Sequence, residues 1–140
     1  MRSDAITKSA IMAILEAFMA SLTAPEVRLF TDNITPSPDT NLLTLNQPTG
    51  SWYTPQPLSY GDAFTNPDGS VSVVAQSMQF DYDGTDPGET VYGYMVVDPG
   101  SPDVPISAAR LETPVNMGND TNSVIVQPRM SLPPVPQSYV

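Results

Sequence analysis

Turn signals recur at short intervals from Pro25 onwards, and this feature limits the possible folds more than any other. The 140-residue sequence contains 16 Pro and 8 Gly. Because proline lacks a backbone N–H and glycine favours turns, these residues separate short elements rather than long helices. The strongest turn signals lie at residues 66–69, 83–84, 86–88, 98–100 and 116–120. Short strands divided in this way predict an antiparallel β-sandwich or a jelly-roll-like barrel.

The segments between the turns carry strand patterns. In residues 90–97, Tyr92, Tyr94 and Val96 occupy alternate positions and therefore share one face of a strand. The other strand candidates are residues 27–30, 41–45, 51–53, 58–60, 70–80, 104–111 and 123–127. We expect these runs to form one β domain at residues 25–130.

The first segment, Ser3 to Leu22, has helical periodicity instead. Ser3 or Asp4 is the predicted N-cap, and Pro25 ends the helix because the residue before a proline avoids the α region. An apolar stripe follows the helix through Ile11, Ile14, Leu15, Phe18 and Leu22. The predicted layout is a helical arm at residues 1–24, the β domain, and an extended Pro-rich arm at residues 131–140.

Two placements of the helix are open. It packs either on its own β domain or against another subunit, because it is apolar around most of its circumference. Glu16 interrupts the apolar run, which argues against a signal peptide. Lys8 and Glu16 together leave too short an apolar run for a membrane span.

The charge balance limits the possible partners. Five Lys and Arg residues stand against fifteen Asp and Glu residues, which gives a formal net charge of -10. Nucleic acids and anionic membranes are bound by clustered cations, and here the basic residues are scattered. We therefore expect neither nucleic acid nor membrane as a partner.

The residue types needed for common catalytic chemistry are missing. The sequence contains no Cys and no His. This removes the thiolate and imidazole groups that serve most nucleophilic enzymes and typical zinc sites. We expect a protein that is not an enzyme and holds no cofactor and no metal.

The loop from Asp81 to Glu89, which includes Asp83 and Asp86, is the densest group of carboxylates. A solvated acidic hairpin loop is the favoured interpretation. Calcium binding is the alternative, since calcium takes oxygen ligands from alternating loop positions, although this spacing departs from helix–loop–helix calcium sites. Carboxylates that cleave sugars need a buried, shaped pocket, of which the sequence gives no sign.

Aromatic residues form a candidate contact site. Trp52, Tyr53 and Tyr60 flank a Pro-rich connection and offer a large contact area at low entropy cost. They are interpreted either as a contact surface or sugar platform, or as packing at the edge of the core.

The C-terminal tail is a second candidate. Its prolines hold the backbone extended and cannot donate hydrogen bonds. Leu132, Val135 and Tyr139 make this tail apolar rather than charged. We expect it to lie as an extended arm along a neighbouring subunit. The alternative is a frayed terminus.

Two strings of the sequence resemble known proteins. Residues 27–40 (VRLFTDNITPSPDT) resemble the opening of a group of small structural proteins of tailed bacteriophages, in which a strand ending in Leu-Phe leads into an Asn-x-x-Pro turn. Residues 92–97 (YGYMVV) are similar to a second element of that group, a Tyr-Gly-Tyr strand followed by β-branched residues. The resemblance implies a virion protein, such as a capsid decoration or cement protein, and carries over no catalytic residue.

The leading hypothesis is a structural subunit of a phage head, a capsid decoration or cement protein that stabilises the shell by bridging capsid proteins. The expected partners are the major capsid protein or other virion proteins, together with further copies of the chain, with a trimer favoured. The alternative is a tail- or fibre-associated module that binds a receptor carbohydrate through Trp52, Tyr53 and Tyr60. A secreted sugar-binding module is a third possibility.

Overall fold

The computed structural model of the protein describes residues 7–84, 88–118 and 122–133. Over these residues the chain is mainly β, with several antiparallel sheets and one helix near the N-terminus, which confirms that part of the predicted fold class. Helix α1 spans Lys8–Ser21, and a short 3-10 helix spans Leu42–Thr44. The strands are β1 (Glu26–Phe30), β2 (Gln56–Pro57), β3 (Phe64–Thr65), β4 (Val71–Val74), β5 (Met78–Asp81), β6 (Thr90–Asp98), β7 (Val104–Asn116), β8 (Ser123–Val126) and β9 (Arg129–Leu132).

The chain forms two compact units. Unit 1 comprises Met1–Leu22, Ser59–Gln76 and Pro128–Val140, of which residues 7–22, 59–76 and 128–133 are described. Unit 2 comprises Thr23–Leu58 and Ser77–Gln127. The boundaries predicted at residues 24 and 130 do not follow this division, because in unit 1 the helix packs with two later segments of the chain.

Unit 1 is a three-stranded sheet, in the order β3-β4-β9, with α1 packed on it. Side chains alternate along a strand, and Val71 and Val73 of β4 share the face on which Ile11 and Leu15 of α1 pack. All four side chains are at most 5 % exposed. Burying an aliphatic side chain of this size stabilises a fold by about 1.5–3 kcal/mol, so this contact holds the helix on the sheet.

Helix α1 begins after Thr7, which has an extended backbone and acts as the N-cap. The Oγ1 of Thr7 accepts a hydrogen bond from the Ala10 N–H at 3.2 Å and so satisfies one of the unpaired donors of the first turn. The predicted caps, Ser3 and Asp4, lie outside the described residues.

Strand β9 includes two residues that the sequence placed in the C-terminal arm. Ser131 and Leu132 pair with Ser72 and Val71 of β4. Pro128 and Pro133 flank the strand. Because prolines are rare in strands, the sequence of this region predicted an extended tail rather than a strand. Residues 134–140 of the predicted arm lie outside the described residues.

Unit 2 contains a four-stranded antiparallel sheet in the order β2-β1-β6-β7. β5 and β8 form a separate antiparallel pair. Buried and exposed side chains alternate along both strands of this pair. The buried ones are Met78, Phe80, Val124 and Val126, and the exposed ones are Gln79, Asp81 and Ile125. One face of the β5–β8 pair therefore belongs to the core of unit 2 and the other faces outwards.

The register of β1 against β6 depends on Gly93. Phe30 lies directly opposite Gly93, and Leu29 lies opposite Tyr94. A Cβ atom at Gly93 would clash with the ring of Phe30 and with the carbonyl oxygen of Ala109. The fully buried Phe30 ring thus fills the space that any other side chain at position 93 would need.

We predict that Gly93→Ala destabilises the protein by about 1–3 kcal/mol, the usual range for overpacking a core. Urea unfolding followed by circular dichroism measures the change. Gly61→Ala is the matched control, because a Cβ at Gly61 would lie 3.4 Å from the Val74 carbonyl oxygen, an ordinary contact distance. Equal midpoints for the two variants would show that the Phe30 ring does not require Gly93.

Candidate functional site

The apolar stripe of α1 is divided between two directions. Ile11 and Leu15 are buried in unit 1, whereas Ile14 is 56 % exposed and Phe18 is 41 % exposed. Leu22, just beyond the end of the helix, is half-buried. Of the five residues predicted as one interaction face, two therefore serve the core of unit 1 and two point outwards.

Exposed small residues extend the outward part of the stripe. Ala10 and Ala17 are exposed and lie four and three residues from Ile14, which makes them its neighbours on the helix surface. Phe18 lies four residues after Ile14 and continues the same strip. We call Ala10, Ile14, Ala17 and Phe18 the outer helix strip. The strip contains no charged residue, although the protein carries a net charge of -10. It is chemically suited to contact with another apolar surface.

Trp52 and Tyr53 lie together in unit 2. Their ring centres are 5.8 Å apart in an edge-to-face arrangement, and the Tyr53 ring lies 6.0 Å from that of Phe80. Both Trp52 and Tyr53 are half-buried. The indole Nε1 of Trp52 is buried and has no hydrogen-bond partner within the described part of the chain.

The hydroxyl of Tyr53 is used inside unit 2. It donates a hydrogen bond to the side-chain oxygen of Gln47 and accepts one from the backbone N–H of Leu29 at 3.2 Å. Burial raises the pKa of Tyr53 to about 12, although the hydrogen bond from Leu29 acts in the opposite direction. These contacts anchor the ring, as expected for packing at the edge of a core.

Tyr60 and Leu132 belong to unit 1, where both are half-buried and pack around the cluster formed by Ile11, Leu15, Val71 and Val73. The three aromatic residues predicted as one platform are therefore distributed over two units. Val135 and Tyr139, the other tail residues of the predicted contact site, lie outside the described residues.

Two carboxylates of the acidic loop, Glu89 and Asp83, accept hydrogen bonds from other residues of the protein. Glu89 accepts hydrogen bonds from the N–H and the hydroxyl of Thr49, at 3.0 and 2.9 Å, and from the N–H of Gly50 at 3.2 Å. Asp83 accepts one from the Ser51 hydroxyl at 3.0 Å. Glu89 therefore fixes the loop that precedes Trp52, a structural role that the sequence did not reveal.

Residues 85–87 of the acidic loop, including Asp86, lie outside the described residues. Among the described residues, no group of three acidic side chains is placed to hold a metal ion. Within the same ranges, no helix has the length and apolar character needed to span a bilayer.

A polar network lies in unit 1 around Ser72, which is fully buried between Val71 and Val73. The Ser72 hydroxyl meets Asn66 Nδ2 at 2.7 Å, Ser131 Oγ at 2.7 Å and Arg129 Nη2 at 3.1 Å. Arg129 Nη2 also donates to Asn66 Oδ1 at 3.1 Å. The network therefore holds the guanidinium of Arg129 in one place.

Asp68 and Phe64 complete this region. Asp68 Oδ1 accepts hydrogen bonds from the N–H and the hydroxyl of Ser70, at 2.9 and 2.6 Å. These bonds hold the pKa of Asp68 below its usual range, and the charge of Arg129 adds to the effect. The Cζ of Arg129 lies 5.7 Å from the centre of the Phe64 ring, which is 40 % exposed.

Several of these groups line an open cleft of about 680 Å³, which is bounded by residues 66–68, 70, 129, 131 and 133. We call it the polar cleft. The sequence did not predict the polar cleft, because its two halves are about sixty residues apart. In the sequence, Asn66, Asp68 and Ser70 indicate only a turn.

A second arginine fixes the loop after β1. Arg110 on β7 donates from Nη1 to the Ile34 carbonyl oxygen and from Nη2 to Asn33 Oδ1, each at 2.9 Å. Its Cζ lies 5.3 Å from the centre of the Tyr92 ring. Residues 27–40 and residues 92–97 are thus joined twice, by pairing of β1 with β6 and by Arg110.

Comparison with known proteins identified no relative of the chain. No protein-family model, no curated protein and no solved structure matches the chain. The residues and contacts described above are therefore the basis for assigning a function.

We predict that Tyr53 keeps its proton to about pH 12, above the ordinary tyrosine pKa of 10.0. Because folding raises this pKa, the contribution of Tyr53 to stability is complete below about pH 10 and is lost as the pH rises towards 12. The ultraviolet absorbance of tyrosinate during an alkaline titration, with unfolding followed in parallel, measures both effects.

Tyr53→Phe should remove a proton that is released late in this titration. Tyr94→Phe is the comparison, because burial also raises the pKa of Tyr94 but no hydrogen bond to its hydroxyl accompanies that shift. Loss of an early-titrating proton in Tyr53→Phe would contradict the anchored position of the ring.

Proposed function

We propose that the protein is a structural subunit of a tailed-bacteriophage virion, a capsid decoration or cement protein that bridges capsid proteins in the head. The observation that carries the proposal is the outer helix strip. Helix α1 is fixed to unit 1 by Ile11 and Leu15, and it presents Ile14 and Phe18 away from that core. A helix held in this way offers a preformed apolar surface, which lowers the entropy lost on binding another subunit.

The resemblance to phage proteins supports the same proposal. Its two strings overlap β1 and β6, which are neighbours in the four-stranded sheet. Phe30 from the first string and Gly93 from the second form a size-matched pair. The residues that carry the resemblance therefore act in packing and strand pairing, which suits a structural subunit.

We propose a homo-oligomer, with a trimer favoured, as the assembled form. The outer helix strip is the surface through which copies of the chain, or a capsid protein, make contact. An uncharged strip suits this role because two copies of an acidic protein repel each other through their charged surfaces. The strip adds no negative charge to the contact.

The finer architecture is part of the proposal. In unit 2, the four-stranded sheet and the β5–β8 pair pack face to face as a small β-sandwich. Tyr53 supports this arrangement, since its hydroxyl bonds to Leu29 of β1 while its ring contacts Phe80 of β5. Gln56 of β2 also donates to the Gln79 carbonyl oxygen of β5 at 2.8 Å.

The Pro-rich C-terminal residues are proposed to form an extended arm along a neighbouring subunit. The support for the arm lies in the sequence, where Pro133, Pro134 and Pro136 exclude helix and central strand. The arm begins after Leu132, because Ser131 and Leu132 are part of β9.

Binding to capsids tests the head assignment. Purified protein is mixed with decoration-free capsids assembled from the major capsid protein of the same virus, and bound copies are counted after sedimentation. Hundreds of copies per particle are expected for a decoration protein. Absence of binding, or a few copies confined to one vertex or tail, would contradict the proposal.

A tail- or fibre-associated module that binds a receptor carbohydrate is the second candidate. The half-buried ring of Trp52, which packs against Tyr53, favours it, because its exposed part can contact the apolar face of a sugar. Binding on a glycan array that disappears in Trp52→Ala would favour this function over head decoration.

We predict that the double variant Ile14→Ser, Phe18→Ser weakens assembly at least about tenfold, or ~1.4 kcal/mol. The physical reason is loss of apolar area from the outer helix strip. Light scattering over a concentration series measures the association, and urea unfolding checks the fold. Stability should change little, since Ile14 and Phe18 are exposed.

Ile125→Ser is the matched control, because Ile125 on β8 is 60 % exposed but lies outside the strip. It should assemble as the unmodified protein does. An Ile14→Ser, Phe18→Ser variant that forms the same oligomer and decorates capsids equally well would overturn the proposed role of the strip.

A further inference from the structure

We propose that the polar cleft of unit 1 is a binding site for a neutral saccharide. The proposal goes beyond decoration of the head and does not depend on it, because the cleft contains neither the outer helix strip nor Trp52. It rests on one cation, one anion and two serine hydroxyls around the same opening, with an exposed aromatic ring beside the cation.

The charges at the cleft select against ionic ligands. Arg129 and Asp68 both line the opening, so an anion is opposed by the carboxylate and a cation is opposed by the guanidinium. A sugar hydroxyl can accept a hydrogen bond from arginine while donating one to a carboxylate. Vicinal hydroxyls of a neutral sugar therefore match this pair of charges better than a phosphate, a carboxylate or an amine does.

Both charged groups are held in place and keep hydrogen-bonding capacity. Within the described residues, Arg129 uses only Nη2 for its hydrogen bonds to Asn66 and Ser72. Its Nε and Nη1 groups can therefore donate to a ligand. Asp68 accepts both Ser70 bonds on Oδ1, and no side chain of the described residues donates to its Oδ2. Such fixed groups bind with little loss of side-chain entropy.

The buried part of the network fixes the exposed part. Ser72 is fully buried and binds Asn66, Arg129 and Ser131 at once. Ser131 is exposed and lines the cleft. A buried hydroxyl that is bonded to three groups of a surface cleft sets their positions before any ligand arrives.

Phe64 supplies the apolar element that sugars require. It lies opposite Ser72 in the β3–β4 pairing, so its side chain shares a face with the network. The ring is 40 % exposed and lies near the Arg129 guanidinium. Sugar rings have an apolar C–H face as well as polar edges, and an aromatic side chain beside charged groups can contact both.

Nuclear magnetic resonance on the isotope-labelled 15.0 kDa protein tests the proposal. The probes are glucose, galactose, mannose and N-acetylglucosamine, with sodium sulfate and glucuronate as anionic probes. We expect saturable millimolar binding of at least one neutral sugar, since few contacts are available to a single ring. The shifted amides should be those of residues 66–72 and 129–133.

Two pairs of variants locate the site. Arg129→Gln and Asp68→Asn should each weaken sugar binding at least about tenfold. Lys8→Gln and Asp62→Asn remove the same charges from exposed positions of unit 1 outside the cleft lining and should bind as the unmodified protein does. Shift mapping on the unmodified protein keeps the test valid if Arg129→Gln fails to fold.

Four results would overturn the proposal. They are no saturable shift with any neutral sugar, shifts centred outside residues 66–72 and 129–133, binding of the anions only, and equal binding by Arg129→Gln, Asp68→Asn and their controls. A positive result leaves the capsid assay unaffected, so failure of this proposal and failure of the head assignment are distinguishable.

Discussion

The pairing of β1 with β6 is the interaction on which the larger unit depends. Phe30 packs on the backbone at Gly93, and this contact sets the register of the two central strands. β6 in turn positions loops at both of its ends. Glu89, just before β6, binds Thr49 and Gly50, and Asp98, its last residue, accepts hydrogen bonds from the Thr23 and Ala24 N–H groups. One strand thus fixes two distant loops through carboxylates.

This use of carboxylates provides a structural reason for the acidic composition. A chain with many prolines and short strands leaves many backbone N–H groups outside regular ladders, and these donors need acceptors. Asp32 accepts from the Asn46 N–H, and Asp103 accepts from the Gly100 N–H. The bond from Gly100, with the hydrogen bond and the charge of Arg28, holds the pKa of Asp103 below its usual range. Part of the negative charge is therefore a consequence of the loop-rich fold rather than a feature of the binding surface.

The sequence predicted what depends on local pattern. Turn residues at 66–69 do form a tight turn, in which Gly69 has a φ of 90° and the Asn66 N–H bonds to the Ser70 carbonyl oxygen. The helix and the mainly β character follow from periodicity for the same reason. These features need no knowledge of distant contacts.

The rest depends on contacts between distant segments. Ile11 and Ile14 are equally apolar neighbours on one stripe, and only the position of β4 decides which of them is buried. β9 is recognisable as a strand only through its pairing with β4. The polar cleft joins residues that local patterns assign to a turn and to a tail, which explains why the sequence did not predict the cleft.

Strand β4 connects the two surfaces of unit 1 for which binding is proposed. Val71 and Val73 pack under α1, and Ser72 between them points to the opposite face of the sheet, where it organises the polar cleft. The same alternation recurs in β9, where Met130 and Leu132 pack against the helix cluster while Ser131 bonds to Ser72. A subunit on the helix and a sugar in the cleft would therefore bind to opposite faces of one sheet without steric conflict. Any energetic coupling between them must pass through the few residues of β4 and β9.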